Sequence, residues 1–184
     1  MITGALTGIG RATAVVFAVA GANIVVSGRR EKEGKQLEKE LRELGAEAQF
    51  VKADVRHESE VQSLVDETVK RFGRLDVAVN NAGTEGVMGP ITSQTAETYA
   101  NTFETNVLGV LLSMKHELQY GVEHRVAALD LSKEGFLQTT RSQRIYRDAL
   151  RKQLGQHLRS KGRSPCVFVT GASRYNSPRP SDRT

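Results

Sequence analysis

Short apolar runs alternate with longer amphipathic stretches over the first two-thirds of the chain. Asn23-Ile24-Val25-Val26-Ser27 is followed by Gly28-Arg29-Arg30, a pattern that predicts a buried parallel strand and its exit loop. A charged helix is predicted from Glu31 to Leu44, closed by Gly45, and then a third strand over Ala48–Val55 that carries the acid Asp54 near its end. A helix over 59–72, a strand over 75–79 and the turn Asn80-Asn81-Ala82-Gly83 come next. Strands joined by single helices need crossover connections, so the pattern predicts an α/β fold built on a doubly wound parallel sheet with helices on both faces.

The chain opens on Thr3-Gly4-Ala5-Leu6-Thr7-Gly8-Ile9-Gly10, a glycine-rich turn running into an apolar helical stretch over 11–20. Gly4 permits a tight turn out of a strand, while Gly8 and Gly10 let main-chain N–H groups and the helix start approach a bound pyrophosphate. A side chain at Gly8 or Gly10 is expected to stand where the phosphate would sit. Only Met1 and Ile2 precede the turn, so most of a first strand is expected to be missing.

Four motifs in this order resemble the short-chain dehydrogenase/reductase family: Thr3 to Gly10, Asp54-Val55, Asn80 to Gly83, and Asn106-Val107-Leu108-Gly109. The likeness covers residues 1–118 and implies a Rossmann-like sheet, truncated here at both ends. It further implies that Gly4, Gly8, Ile9 and Gly10 line the cofactor phosphates and that Asp54 and Val55 meet the adenine. Asn80, Asn81, Ala82 and Gly83 would steady the sheet and touch the nicotinamide-side ribose. From the residues alone, Asp54 is either an acceptor for an exocyclic amine or a loop or cap acid, and the two asparagines also suit an Asx turn. After the second strand an acid would bind a free ribose 2′-hydroxyl and an arginine a 2′-phosphate. Arg29 and Arg30 stand there with no acid beside them, which favours NADP over NAD.

The family's chemistry uses a Ser, a Tyr, a Lys four residues after the Tyr, and an Asn. Tyr exchanges a proton with the substrate oxygen, Lys lowers its pKa, and Ser polarises that oxygen while hydride moves at the nicotinamide. The resemblance gives Asn106 as the Asn, with Ser132 and Tyr146 as partners at about the family intervals. Position 150 is Leu, however, and Arg151 and Lys152 lie about 140° and 240° around a regular helix from Tyr146. The expected activity, interconversion of a small-molecule alcohol and carbonyl by an NAD(P)-dependent oxidoreductase, therefore has an incomplete catalytic set. A catalytically silent nucleotide-binding module and a truncated or frameshifted fragment are the alternatives.

Composition separates the front from the tail. The chain has 184 residues and a net charge of +5, divided as −3 over residues 1–120 and +8 over 121–184. One domain is expected: a dinucleotide-binding region over 1–120, then a divergent basic tail of strand, helix and strand whose last ten or so residues read as disordered. Within it, 126–131 and 167–170 are the strands, and 142–160 is a basic helix with a narrow stripe of Ile145, Ala149, Leu150, Leu154 and Leu158. The run from Val167 to Ser173 looks like the family's opening strand and turn, although a misread gene accounts for it more simply than a chain end placed at the sheet centre. The resemblance implies a homo-oligomer through the helices after the fourth and fifth strands, an interface that a helix this charged makes less secure. The basic tail shows neither a nucleic-acid-binding motif nor the interleaved aromatics on which single strands stack. Cys166 reads as a buried structural thiol, the four histidines lack ligand spacing, and no membrane span or leader is expected, which points to the cytoplasm.

Overall fold

In the computed structural model, residues 1–121, 127–130 and 167–170 are described. Six parallel strands form one sheet: β1 (Ile2–Thr3), β2 (Ile24–Gly28), β3 (Ala48–Lys52), β4 (Val77–Asn80), β5 (Ala127–Asp130) and β6 (Val167–Thr170), in the spatial order β3-β2-β1-β4-β6-β5. The helices are α1 (Gly8–Val19), α2 (Glu31–Glu43), α3 (Glu58–Phe72), α4 (Ala96–Phe103) and α5 (Gly109–Gly121), with a π-helical turn over Glu104–Leu108 joining the last two.

Alternation along the strands explains why helices cover both faces. Ile2, Ile24, Val26, Phe50 and Val79 pack with Ala14, Phe17 and Ala18 of α1 and Leu37 and Leu41 of α2. Their neighbours Met1, Val25 and Ala78 point the other way, against Leu64 and Val65 of α3. This two-residue period makes each strand a partition between two apolar layers, and each fully buried aliphatic side chain contributes roughly 1.5–3 kcal/mol. Glu38 of α2 is an exception within the first layer. It is nearly buried and accepts from the Phe50 N–H at 2.7 Å, with Arg42 at 2.7 Å completing the pair.

Two boundaries differ from the sequence expectation in ways that shape the cleft. β3 stops at Lys52, because the Ala53 N–H donates to the Gly28 carbonyl and the chain turns at Asp54 and Val55. α1 begins at Gly8, so the last two glycines of the opening turn belong to the helix. β1 is two residues long yet holds the sheet centre, pairing with β2 and β4, and the Met1 ammonium donates to the Val77 carbonyl at 2.8 Å. The segment 167–170 is neither the first strand nor outside the sheet. It pairs with β4 on one side and β5 on the other, so β5 is outermost among the described strands. Ser132, Tyr146, Cys166, the predicted helix over 142–160 and the end segment 177–181 lie outside the described residues.

Glu117 of α5 is buried against β4, where its Oε2 accepts from Asn80 Nδ2 at 3.1 Å. Burial pushes its carboxyl up to about 7 from an ordinary 4.5. Such a group holds its proton more tightly folded than unfolded, so its stabilising share is complete below about pH 4.5 and is lost as the pH rises toward about 7. Denaturant titrations are expected to show lower stability at pH 7.5 than at pH 5, by on the order of 2–3 kcal/mol from this group. E117Q is expected to flatten that dependence; an unchanged pH slope in E117Q would contradict the assignment.

Candidate nucleotide-binding site

The opening turn is stitched to the turn after β4. Asn81 Nδ2 donates to the carbonyls of Thr3 at 3.2 Å and Gly4 at 3.0 Å. The Thr3 hydroxyl accepts from the main-chain N–H groups of Asn81 at 3.1 Å and Ala82 at 3.2 Å, and donates to the Val79 carbonyl at 3.4 Å. A hydroxyl offers one donor and two acceptor sites, so Thr3 is fully satisfied while buried.

The glycines of the turn do different work. A Cβ on Gly10 would lie 2.4 Å from the Gly4 carbonyl oxygen and 2.5 Å from Asn81 Nδ2. The expectation that a side chain there would meet a phosphate is thus corrected: Gly10 is required by the protein's own turn. Gly8 differs, with φ +55° and nothing within 4 Å of where its Cβ would stand. Thr7, the N-cap of α1, makes no side-chain capping bond, so the amides of the first helical turn are left to an outside acceptor. Together with the helix dipole, these amides suit an anion.

A cleft of about 510 Å³ opens over the C-terminal ends of β1 to β4, the place where an open parallel sheet reverses its winding. Gly4, Gly8, Ile9, Arg29, Arg30, Asp54, Val55, Ala82 and Gly83 all line it, so nine of the sequence-derived cofactor candidates converge. Asp54 is pinned by Arg56: Nε lies 3.1 Å from both carboxylate oxygens, Nη2 2.7 Å from Oδ2, and the Arg56 N–H donates to Oδ1 at 3.1 Å. These hydrogen bonds hold the carboxyl below the usual carboxylate range, against the opposing effect of burial. The two arginines after β2 are not equivalent. Arg30 pairs with Glu33 at 3.2 Å, whereas Arg29 makes no ion pair with any described residue and acts on Asp54 only through space.

Two candidates lie differently from the rest. Asn80 turns into the protein toward Glu117, away from the cleft lining, and among the described residues neither its Oδ1 nor Glu117 Oε1 has a partner. Asn106 sits in the π-helical turn and grips the backbone of Thr84: its Oδ1 accepts from the Thr84 N–H and its Nδ2 donates to the Thr84 carbonyl, both at 2.8 Å. It bonds a neighbouring loop rather than its own helix, and through Thr84, which lines the cleft, it sets one wall. Ser132 and Tyr146 lie outside the described residues, so the set brought together is the binding half of the proposed site. Sequence reasoning overlooked Arg56, Thr84 and Glu117, and gave Thr3 no role beyond its place in the opening motif. Arg56, directly after Asp54-Val55, could have been found by asking what neutralises an acid beside a cleft.

The glycine turn, the unclaimed helix amides and the tethered acid fit a dinucleotide. Residues 1–128 match the family model described as short chain dehydrogenase. The chain is 41% identical over 109 residues to an L-fucose dehydrogenase of Oryctolagus cuniculus, covering 59% of this chain and 37% of that protein. It spans less than half the length of the curated relatives it matches. Among solved structures, a short chain dehydrogenase/reductase from Burkholderia phymatum in complex with NAD superposes with a TM-score of 0.69 at 29% identity, covering 93% of this chain and 64% of that one. An actinorhodin polyketide ketoreductase variant with NADPH gives a TM-score of 0.67 at 32% identity, covering 85% of this chain and 63% of the other. No helix among the described residues is long and apolar enough to cross a membrane, and no metal-binding cluster occurs among them.

The two glycines should separate experimentally. Gly10→Ala is expected to lower stability by about 1–3 kcal/mol, the usual cost of overpacking, as read by chemical denaturation. Gly8→Val is expected to abolish dinucleotide binding in calorimetry while the protein still unfolds cooperatively. Undiminished binding in Gly8→Val would contradict the phosphate assignment.

Proposed function

We propose that this chain, which belongs to the short-chain dehydrogenase family, binds NADP over β1 and β4 and serves hydride transfer between the cofactor and a small-molecule alcohol or carbonyl. The observation that carries the reading is the start of α1: uncapped amides behind an open glycine, on the same cleft as Asp54 and Arg29. The nicotinamide ring supplies or accepts the hydride when bound. The first turn of α1 would cradle the pyrophosphate, Asp54 would accept from the adenine amine, and Arg29 would pair with the 2′-phosphate. Asn106, by fixing Thr84, would keep the wall beside the reacting end in place.

NADP is favoured over NAD because Arg29 is uncommitted, whereas Arg30 already answers Glu33. Solved relatives contain either NAD or NADPH, so the choice rests on this chain's own residues. For the proton, Ser132 and Tyr146 are the hydroxyls proposed to meet the substrate oxygen. An unassisted tyrosine titrates near ~10, which makes it a slow acid–base group at neutral pH. Leu150, where the family pattern has Lys, favours a second reading: a module that binds the nucleotide without turnover.

Calorimetry and a turnover assay separate the two. Micromolar NADPH binding with oxidation of NADPH by some member of a broad ketone and aldehyde panel supports the enzyme; binding without any turnover supports the silent module. R29A is expected to reduce the preference for NADP over NAD by roughly tenfold, the worth of hydrogen bonds to a charged group. An unchanged preference in R29A would remove the basis for favouring NADP.

A further inference from the structure

Two acceptors buried between α5 and β4 have no donor. Glu117 Oε2 takes the Nδ2 hydrogen of Asn80 at 3.1 Å, but the other oxygen of each group, Glu117 Oε1 and Asn80 Oδ1, has no partner among the described residues. Both residues are buried, so bulk solvent does not take the partner's place. An ionised Glu117 cannot mend this, because a carboxylate and an amide oxygen only accept. One proton on Oε1 supplies the missing donor and gives both leftover oxygens a partner. Asn80 then donates through Nδ2 and accepts through Oδ1, while the un-ionised carboxyl opposite does the reverse. Amide and acid are alike in shape, each with a donor and an acceptor side by side, so the two bonds can close together.

The cleft is one residue away. Asn81 follows Asn80, and its N–H and Nδ2 tie Thr3 and Gly4 into the turn beneath the cleft. Resting on the dinucleotide reading of that cleft, we propose that Glu117 is a positioning residue: un-ionised, it closes a two-bond ring with the Asn80 side chain and holds the end of β4 where Asn81 can set the cofactor site. Ionisation opens the ring and leaves a buried charge beside the amide oxygen, so dinucleotide affinity falls as the pH rises. Burial favours the un-ionised form, and the Met1 ammonium opposes it through space. The charged groups on the other elements packed against α5 are engaged elsewhere. On α3, Glu58 meets Lys115 and His116, and Asp66 accepts from Tyr120; Glu104 of the π-helical turn acts on Arg56. β4 and β6 contain no titratable residue.

The test uses the full chain. Infrared spectra of the ligand-free protein at about pH 5.5 and about pH 8.5, either side of the titration, are expected to show an un-ionised carboxyl at the lower pH only. E117Q is expected to lack that band. Calorimetry with NADPH then reads the cleft. E117Q carries an amide that can make both bonds at every pH, so the native Kd divided by the E117Q Kd is expected to be near one at the lower pH. At the higher pH the ratio is expected to rise by roughly tenfold, the worth of one hydrogen bond. Titration of the cofactor's own phosphates cancels in that ratio. No carboxyl band, the outcome if a trapped water bridges the two oxygens instead, would overturn the proposal. So would a ratio that ignores pH, or E117Q that binds far more weakly than the native protein at the lower pH; in each case the cleft reading stands. NADPH bound by neither protein at either pH would reject the cleft reading, and this inference with it.

Discussion

The hydrogen bonds between Thr3 and Asn81 are the constraint on which the rest of the molecule depends. They join a strand of only two residues to the turn after β4, so the sheet centre and the cleft floor are set by the same few atoms. Asn81 occupies the space that a side chain on Gly10 would need, and this lets α1 begin close to the strand end. The amides of α1 then face the cleft because the turn beneath them cannot shift. Buried groups this fully paired are costly to disturb, since removing one partner strands the other without water.

Elements with a strong period were legible from the chain. The runs at 24–28 and 48–52 and the amphipathic helices α2 and α3 follow from alternation and from glycines just beyond the helix ends, and they appear within a few residues of expectation. Legible too was the convergence of Gly4, Gly8, Asp54 and Arg29, because each stands at a strand's C-terminal end and parallel strands bring those ends together. Contacts between distant residues were not legible. Nothing local to Gly10 says that Asn81 will fill the space beside it, and nothing local to Asn106 says that its amide will reach Thr84. The place of β6 was hidden for the same reason: a short apolar run reveals that it is a strand, while its neighbours are decided by the crossovers around it.

The cleft divides its labour by charge. Arg56 neutralises Asp54 at one side, Glu33 neutralises Arg30 at another, and Arg29 is left as the cation not yet answered by a described residue. Local pairing therefore filters a basic loop down to one directed charge, a distinction that counting arginines in the sequence could not make. The π-helical turn acts on the opposite wall, where its extra residue offsets the helix and presents Asn106 sideways to Thr84.

The interior position of β6 bears on the order in which the protein can assemble during synthesis. β5 emerges from the ribosome before β6, yet among the described residues it is β6, made much later, that pairs with it. Until that strand arrives, β4 and β5 each present an open backbone edge able to recruit a foreign segment. Both edges close only once residues 167–170 have been made, and a delay before residue 170 would prolong their exposure.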